Sequence, residues 1–331
     1  MKKALLLGGT GALGYYLTPS LLELGFKVDV VSLDDMISNR KDLKYIKADC
    51  KNVEFLENLV KNEYDVIVDF LIYFSPEEFG KYYKIFLQNC EHYIFLSSYR
   101  IYADCKTPLT ENSPRLLDVS TDKAFLSSGD YAIYKAQEED MLKNSGYNNW
   151  TVLRPAITYS KGRYQLVTLE ARVLVYRMLR NRVVILPEPA MNISATMSWA
   201  GDFGKTVARL ALNRAAYKEC YTISTSEHHT WEEIAKLYTK LGGLKYITVD
   251  TETYLNMLSP GNIFVRQQLT HDRYFNRMVD NTKLLNATGL KQSDFMPLEE
   301  GLKTELAKAT IENTVGDMVV NARMDEYLKN M

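Results

Sequence analysis

The chain has 331 residues, 46% hydrophobic and 24% charged, which excludes a disordered or fibrous protein and leaves room for about two domains at roughly 150 residues each. Forty basic against 41 acidic side chains leave a net charge of −1, so bulk charge does not hold it to nucleic acid and none is expected as partner. No apolar run reaches the ~20 residues of a membrane helix, and no membrane contact is expected.

The opening Met1-Lys2-Lys3 leads into Ala4–Leu7, whose apolar run stops at glycines; it reads as a first strand rather than a leader. Leu13, Leu17, Leu21 and Leu24 recur at helical spacing over Ala12–Leu24, and Gly25 ends that helix. Val28–Leu33 is a second strand. Asn52–Asn62 is helical, Tyr64–Tyr73 a buried strand, Glu77–Cys90 helical and His92–Ser97 a further strand. Asp130–Asn144 is a helix, and Trp150–Arg154 a strand closed by Pro155. Strands alternating with helices predict a doubly wound parallel sheet, and strands without polar alternation are those buried on both faces.

The rhythm changes after Pro155. The spacing predicts a long Arg-rich helix over Leu166–Arg180, a strand at Val183–Leu186, a helix at Asp202–Leu212 and a strand at Tyr221–Ser224. Thr230-Trp231-Glu232-Glu233 is a capping box opening a helix to about Leu241. A helix at Pro297–Asn313 follows, and a terminal helix docking on the sheet is expected in Val315–Met331. The division expected is a dinucleotide-binding domain over 1–157 and a smaller substrate-binding lobe over 158–331, with some elements returning to the sheet.

Gly8, Gly11 and Gly14 lie at three-residue spacing between the first strand and the first helix. Glycines permit a tight turn and close backbone approach, and the helix N-terminus offers N–H groups to a pyrophosphate. The residues expected on a dinucleotide are Gly8, Gly11, Ala12, Leu13 and Gly14. After the second strand come Ser32, Leu33, Asp34 and Asp35; a carboxylate here binds the adenosine ribose and repels a 2′-phosphate. Asp34 makes NAD the preferred cofactor, while Ser32, with Arg40 and Lys41 beyond, leaves NADP open. Asp49 and Cys50, in Ala48-Asp49-Cys50 beyond the second strand, are placed near the adenine. Four dispersed cysteines and four histidines show no metal-ligand spacing, so a reduced, cytoplasmic chain without metal is expected.

Tyr131 and Lys135 are four apart on one helix, so they share a face. A phenol of pKa ~10 is a poor base at neutral pH, and a nearby ammonium and a positive nicotinamide ring favour phenolate. Such a group takes a hydroxyl proton while hydride leaves the same carbon. The pattern is common by chance; its order gives it weight: glycine loop, Ser97-Ser98 strand end, Tyr131-x-x-x-Lys135 helix, then Leu153-Arg154-Pro155.

In this order the chain resembles the extended short-chain dehydrogenase/reductases, the NAD-dependent epimerase/dehydratase group. Ser97–Ala103 is similar to its Ser-Ser-x-x-Val-Tyr-Gly segment and Thr107–Pro114 to its acidic loop. Asp280–Leu284 and Pro297–Leu302 are looser matches to closing motifs. The resemblance implies Ser98, Tyr131 and Lys135 as catalytic triad, with Lys135 also on the nicotinamide ribose. It places Phe70, Leu71, Pro155 and Ile157 on the cofactor, and a homodimer as the assembly.

The chain also departs from that pattern. Phe70, Leu71, Ile72 and Tyr73 replace small residues, and Val68-Asp69-Phe70 resembles a divergent branch with reductase-like and RNA-associated members. Tyr99 and Arg100 stand where dehydratases carry Asp-Glu, which disfavours water loss. Tyr73, Arg100, Arg163 and Arg172 are the candidate substrate residues. Arg100 reads either as a contact to a substrate anion or as a surface strand-end residue. Arg163, Arg172 and the following arginines read either as a clamp on a nucleotide-sugar diphosphate or as a solvated helix face. The expected function is an NAD(P)-dependent epimerase or oxidoreductase acting on a secondary alcohol of a nucleotide sugar. The alternatives are a one-way NADPH-dependent reductase of a small carbonyl and a non-catalytic RNA-associated or regulatory module.

Overall fold

The computed structural model describes residues 1–105 and 108–331. Thr107, first residue of the acidic-loop motif, lies outside them. Among the described residues seven strands form one sheet, in the order Glu219–Ile223, Trp150–Pro155, Cys90–Leu96, Tyr64–Asp69, Lys3–Leu7, Lys27–Ser32, Leu43–Lys47. Every neighbouring pair is parallel. In the central register Leu6 stands opposite Val30 on one side and Val68 on the other. Ala4 to Leu7 and Val66 to Val68 are fully buried, as strands covered on both faces must be.

One face carries the Gly14–Glu23 and Ala200–Leu210 helices, whose Leu17, Leu21, Phe203 and Val207 join the sheet's even-numbered leucine Leu6 in one core. The other face packs Leu5 and Leu7 against Leu56, Phe79 and Phe86. The expected Glu77–Cys90 helix is two short ones, Pro76–Gly80 and Tyr83–Gln88, with Cys90 already in the next strand. The Glu219–Ile223 strand closes the sheet edge beside Trp150–Pro155.

The Tyr131–Lys143 helix is capped by Asp130, which accepts from Ala132 N at 2.8 Å. It is tied to the sheet through Arg154, whose guanidinium donates to both Glu139 oxygens at 2.9 and 2.6 Å. The same guanidinium reaches Tyr102 Oη and the Glu111 carbonyl, each at 2.9 Å. Arg154 thus ties the Leu-Arg-Pro strand and the acidic loop to the helix that carries Tyr131.

The long helix expected over Leu166–Arg180 does not form. Gln165–Leu166 and Leu169–Glu170 are a hairpin, and only Leu174–Leu179 is helical. A run of buried leucines and valines reads equally as helix or strand; the turn is decided by Val167, whose φ of 54° no helix contains. The terminal helix is Met318–Lys329, but it docks on the lobe. Arg177, fully buried, donates to Val183 O, Asn321 O and Asp325 Oδ1, and Arg323 donates to Leu258 O. No helix among the described residues is long and apolar enough to cross a membrane.

Candidate active site

The strand order reverses between Lys3–Leu7 and Tyr64–Asp69, and a crevice opens beyond the carboxyl ends of strands at such a point. A cleft of about 370 Å³ lies there. Gly8, Gly11, Ala12, Leu13 and Gly14 form one wall. Gly8 has φ +73°, a conformation costly for any residue with a Cβ. A Cβ on Gly14 would collide with the Gly9 carbonyl. No side chain caps the helix that starts at Gly14. Tyr15 N and Tyr16 N donate to the Gly11 and Leu13 carbonyls, so the N–H groups open to a ligand are those of the loop before them. The loop fits a pyrophosphate.

Asp34 stands against this loop, its Oδ2 accepting from Thr10 Oγ1 at 2.6 Å. Ser32 Oγ accepts from Asp34 N at 3.0 Å and so holds the turn that aims the carboxylate. Arg40 is bound through two nitrogens to Asp42, and Lys47 pairs with Asp35. Asp49 caps its own turn by accepting from Lys51 N. The Cys50 thiol is buried, donates to Val31 O, and is pushed up to about 12 by that burial. Ser32, Asp34, Asp49 and Cys50 lie outside the cleft, around the ends of the second and third strands.

Opposite the loop, Phe70, Ser98, Tyr131, Pro155 and Ile157 line the cleft. Leu71 does not line it but packs behind Gly8. Ser98 Oγ accepts from Arg100 N at 3.2 Å, which leaves its own O–H to donate into the cleft. Lys135 is buried and is not part of the cleft wall. Its Nζ lies 2.9 Å from Glu138 Oε2 and over the Phe95 ring at 4.5 Å from the centroid. The Glu138 contact lacks hydrogen-bond alignment, so the ammonium is a buried donor with unsatisfied N–H groups. Such a group calls for an acceptor.

Two substrate expectations are corrected. Tyr73 is fully buried, its hydroxyl donating to Asp69 Oδ2 at 2.8 Å beside Tyr93, and it reaches no cleft. Arg172 is exposed away from the cleft; its carbonyl accepts from Asp317 N. Of the arginines just after it, none lines the cleft: Arg177 is buried and holds Asp325 of the terminal helix, and Arg182, exposed to solvent, pairs with the same carboxylate. Arg100 and Arg163 do line the cleft.

Sequence reasoning missed Gln165, Glu170, Gln268 and Arg273 on the same wall. Arg273 Nε donates to Val167 O at 2.8 Å and pins the hairpin. It sits in a π-helical turn, Leu269–Arg273, a one-residue offset that no apolar period announces. The available signal was charge: Asp272 and Arg273 are buried in a stretch otherwise reading as a surface helix.

No family model matches the chain. It is 24% identical over 259 residues to the chloroplast stem-loop binding protein of 41 kDa b of Arabidopsis thaliana, covering 73% of this chain and 64% of that protein's length. In structure it is similar to the UDP-glucose 4-epimerase of Thermus thermophilus, solved with NAD, with a TM-score of 0.67 at 16% identity over 95% of this chain and 100% of that one. It is also similar to the dTDP-glucose 4,6-dehydratase of Bacillus anthracis, solved with NAD, with a TM-score of 0.69 at 16% identity over 93% and 96%. These likenesses establish the fold: the chain is a doubly wound α/β protein built as these epimerases and dehydratases are built.

Proposed function

We propose that the protein is an NAD-dependent epimerase or oxidoreductase of a secondary alcohol, of the extended short-chain dehydrogenase/reductase kind, with a nucleotide sugar as the substrate class. The observation that supports it most is that the glycine loop, Ser98 and Tyr131 line one cleft at the switch point of the sheet. Gly11, Ala12 and Leu13 would hold the pyrophosphate, Asp34 the adenosine ribose and Lys135 the nicotinamide ribose. NAD, when bound, supplies a hydride acceptor beside the reacting carbon. Ser98 donates to the substrate oxygen, and Tyr131 takes the hydroxyl proton at its phenolic oxygen. NAD is favoured over NADP because Asp34 stands against the glycine loop at the end of the second strand, where a carboxylate accepts from a ribose hydroxyl and repels a 2′-phosphate.

Native mass spectrometry of the purified protein, with chromatography of released small molecules, tests this reading. Retained NAD or NADH is the expected result, since a redox-neutral epimerase keeps its cofactor through turnover. A folded protein that neither retains nor takes up any nicotinamide nucleotide would overturn it and turn attention to a binding role such as the one named for the Arabidopsis relative.

A further inference from the structure

The wall of the cleft beyond Tyr131 is built from arginine. Arg100 lies over the Tyr131 ring, its guanidinium carbon 5.4 Å from the centroid. It is held by two buried carboxylates at long range: 3.4 Å to both Asp130 oxygens and 3.6 Å to Asp272. Charge-assisted pairs ordinarily close to ~2.7–2.9 Å, so Arg100 is positioned by these acids without being used up by them. Its Nε is buried and makes no hydrogen bond among the described residues. Asp272 is also shared with Arg273 and Arg277.

Arg163 stands nearby. Its backbone is fixed by paired bonds with Ser160 across a turn that Gly162 makes at φ +75°. Its side chain lines the cleft, within electrostatic range of Glu170, Tyr131 and Arg273, and forms no ion pair among the described residues. Burial pushes its guanidinium below its ordinary value, and Glu170 offsets part of that. Glu170 is exposed and accepts from Gln165 instead. Arg100, Arg163 and Arg273 line the cleft, and Glu170 is the one acid among its described lining residues; behind that wall Asp272 is shared by Arg100, Arg273 and Arg277, and Asp130 lies 3.4 Å from Arg100. A surplus buried cation is costly unless something neutralises it.

We propose that Arg100 and Arg163 form an oxyanion seat beside Tyr131, so that the substrate carries a carboxylate or phosphate group close to its reacting carbon. This rests on the reading of Tyr131 as the group that meets the reacting alcohol. It narrows the substrate class to acids: a sugar acid or a phosphorylated hydroxy compound fits, and a neutral hexose ring leaves Arg163 without a partner. An anion there is also drawn toward the positive ring of the oxidised cofactor, which couples binding of the acid to the oxidised state.

The test is isothermal titration calorimetry with malonate and inorganic phosphate, on the protein alone and saturated with NAD, at constant ionic strength. Saturable binding of at least one of the two is expected, and the tighter one identifies the acid as carboxylate or phosphate. Arg163→Met should weaken it about tenfold or more, the loss of one charge-assisted contact, while Arg163→Lys should stay within about threefold. Neither Arg163 variant should alter NAD affinity, so failure of the seat is read separately from failure of the cofactor site. Saturating UDP should leave malonate or phosphate binding in place. Absence of saturable binding, an unchanged affinity in a folded Arg163→Met, or displacement by UDP would each overturn the proposal; displacement would assign the arginines to a nucleotide diphosphate.

Discussion

Glu138 and Glu139 are neighbours on one helix, both fully buried, yet they belong to two different regions of the molecule. Glu139 faces the last strands of the sheet and accepts two hydrogen bonds from Arg154. Glu138 faces Lys135, across a 2.9 Å contact that is not aligned as a hydrogen bond, in the region where Lys135 also lies against Phe95 and Tyr73. Burial pushes both carboxyls up. At Glu139 the Arg154 guanidinium more than offsets it and the group ends below its ordinary value; at Glu138 the Lys135 ammonium does not, and it stands at about 7. One region is finished scaffold with its hydrogen bonds satisfied. The other keeps donors and acceptors unsatisfied beside the candidate site, the state expected where a ligand is still to be bound.

The comparison breaks most directly at Arg154. Arg154→Met leaves the buried Glu139 with only the longer contacts of Lys143 at 3.5 Å and Arg115 at 3.9 Å and should cost about 3–5 kcal/mol in urea unfolding. A loss below about 1 kcal/mol would mean that the pair is not what holds the Tyr131 helix. The Lys135 side should respond to pH instead. A carboxyl raised to about 7 in the folded protein adds stability below its unfolded value near ~4.5, and that contribution is lost as pH rises through 7. Glu138→Gln does not titrate, so it should gain on the wild type by about 2 kcal/mol between pH 5 and pH 8. A constant difference at both pH values would contradict the assignment.

Smaller effects sharpen the contrast. Lys135→Met should unfold close to the wild type at pH 6, where Glu138 takes up a proton, but bind NADH about tenfold more weakly by fluorescence titration. An unchanged NADH affinity would remove Lys135 from the ribose. Asp34→Asn should weaken NADH about threefold to tenfold and leave NADPH nearly unchanged, the loss of one ribose contact. Equal weakening of both nucleotides would instead mark Asp34 as a support for the glycine loop through Thr10.

The sequence and the structure agree where backbone geometry follows from local pattern. The glycine loop needs one conformation at Gly8 and an absent Cβ at Gly14, and both requirements are written in the residue types. The core strands announce themselves as apolar runs, and the Thr230 capping box forms as spaced. Agreement ends where side chains far apart in the chain decide the outcome. The hairpin at 165–170 is held by Arg273, more than a hundred positions away, and its turn needs a positive φ at a β-branched residue. Arg177 reads as one of several helix-face arginines until Asp325 and Asn321 are seen around it. Tyr73 reads as a cleft residue until Asp69 is seen to capture its hydroxyl within the core. The meeting of the glycine loop with Ser98 and Tyr131 in one cleft was therefore legible, whereas of the four substrate candidates only Arg100 and Arg163 line it.

The cleft is proposed to be a nicotinamide site completed by Tyr131 and Ser98. Titration of the purified, folded protein with NADH and NADPH, followed through nicotinamide fluorescence, tests it most directly. Saturable binding of NADH, tighter than NADPH, is the predicted result. A folded protein whose fluorescence signal never saturates with either nucleotide would contradict it.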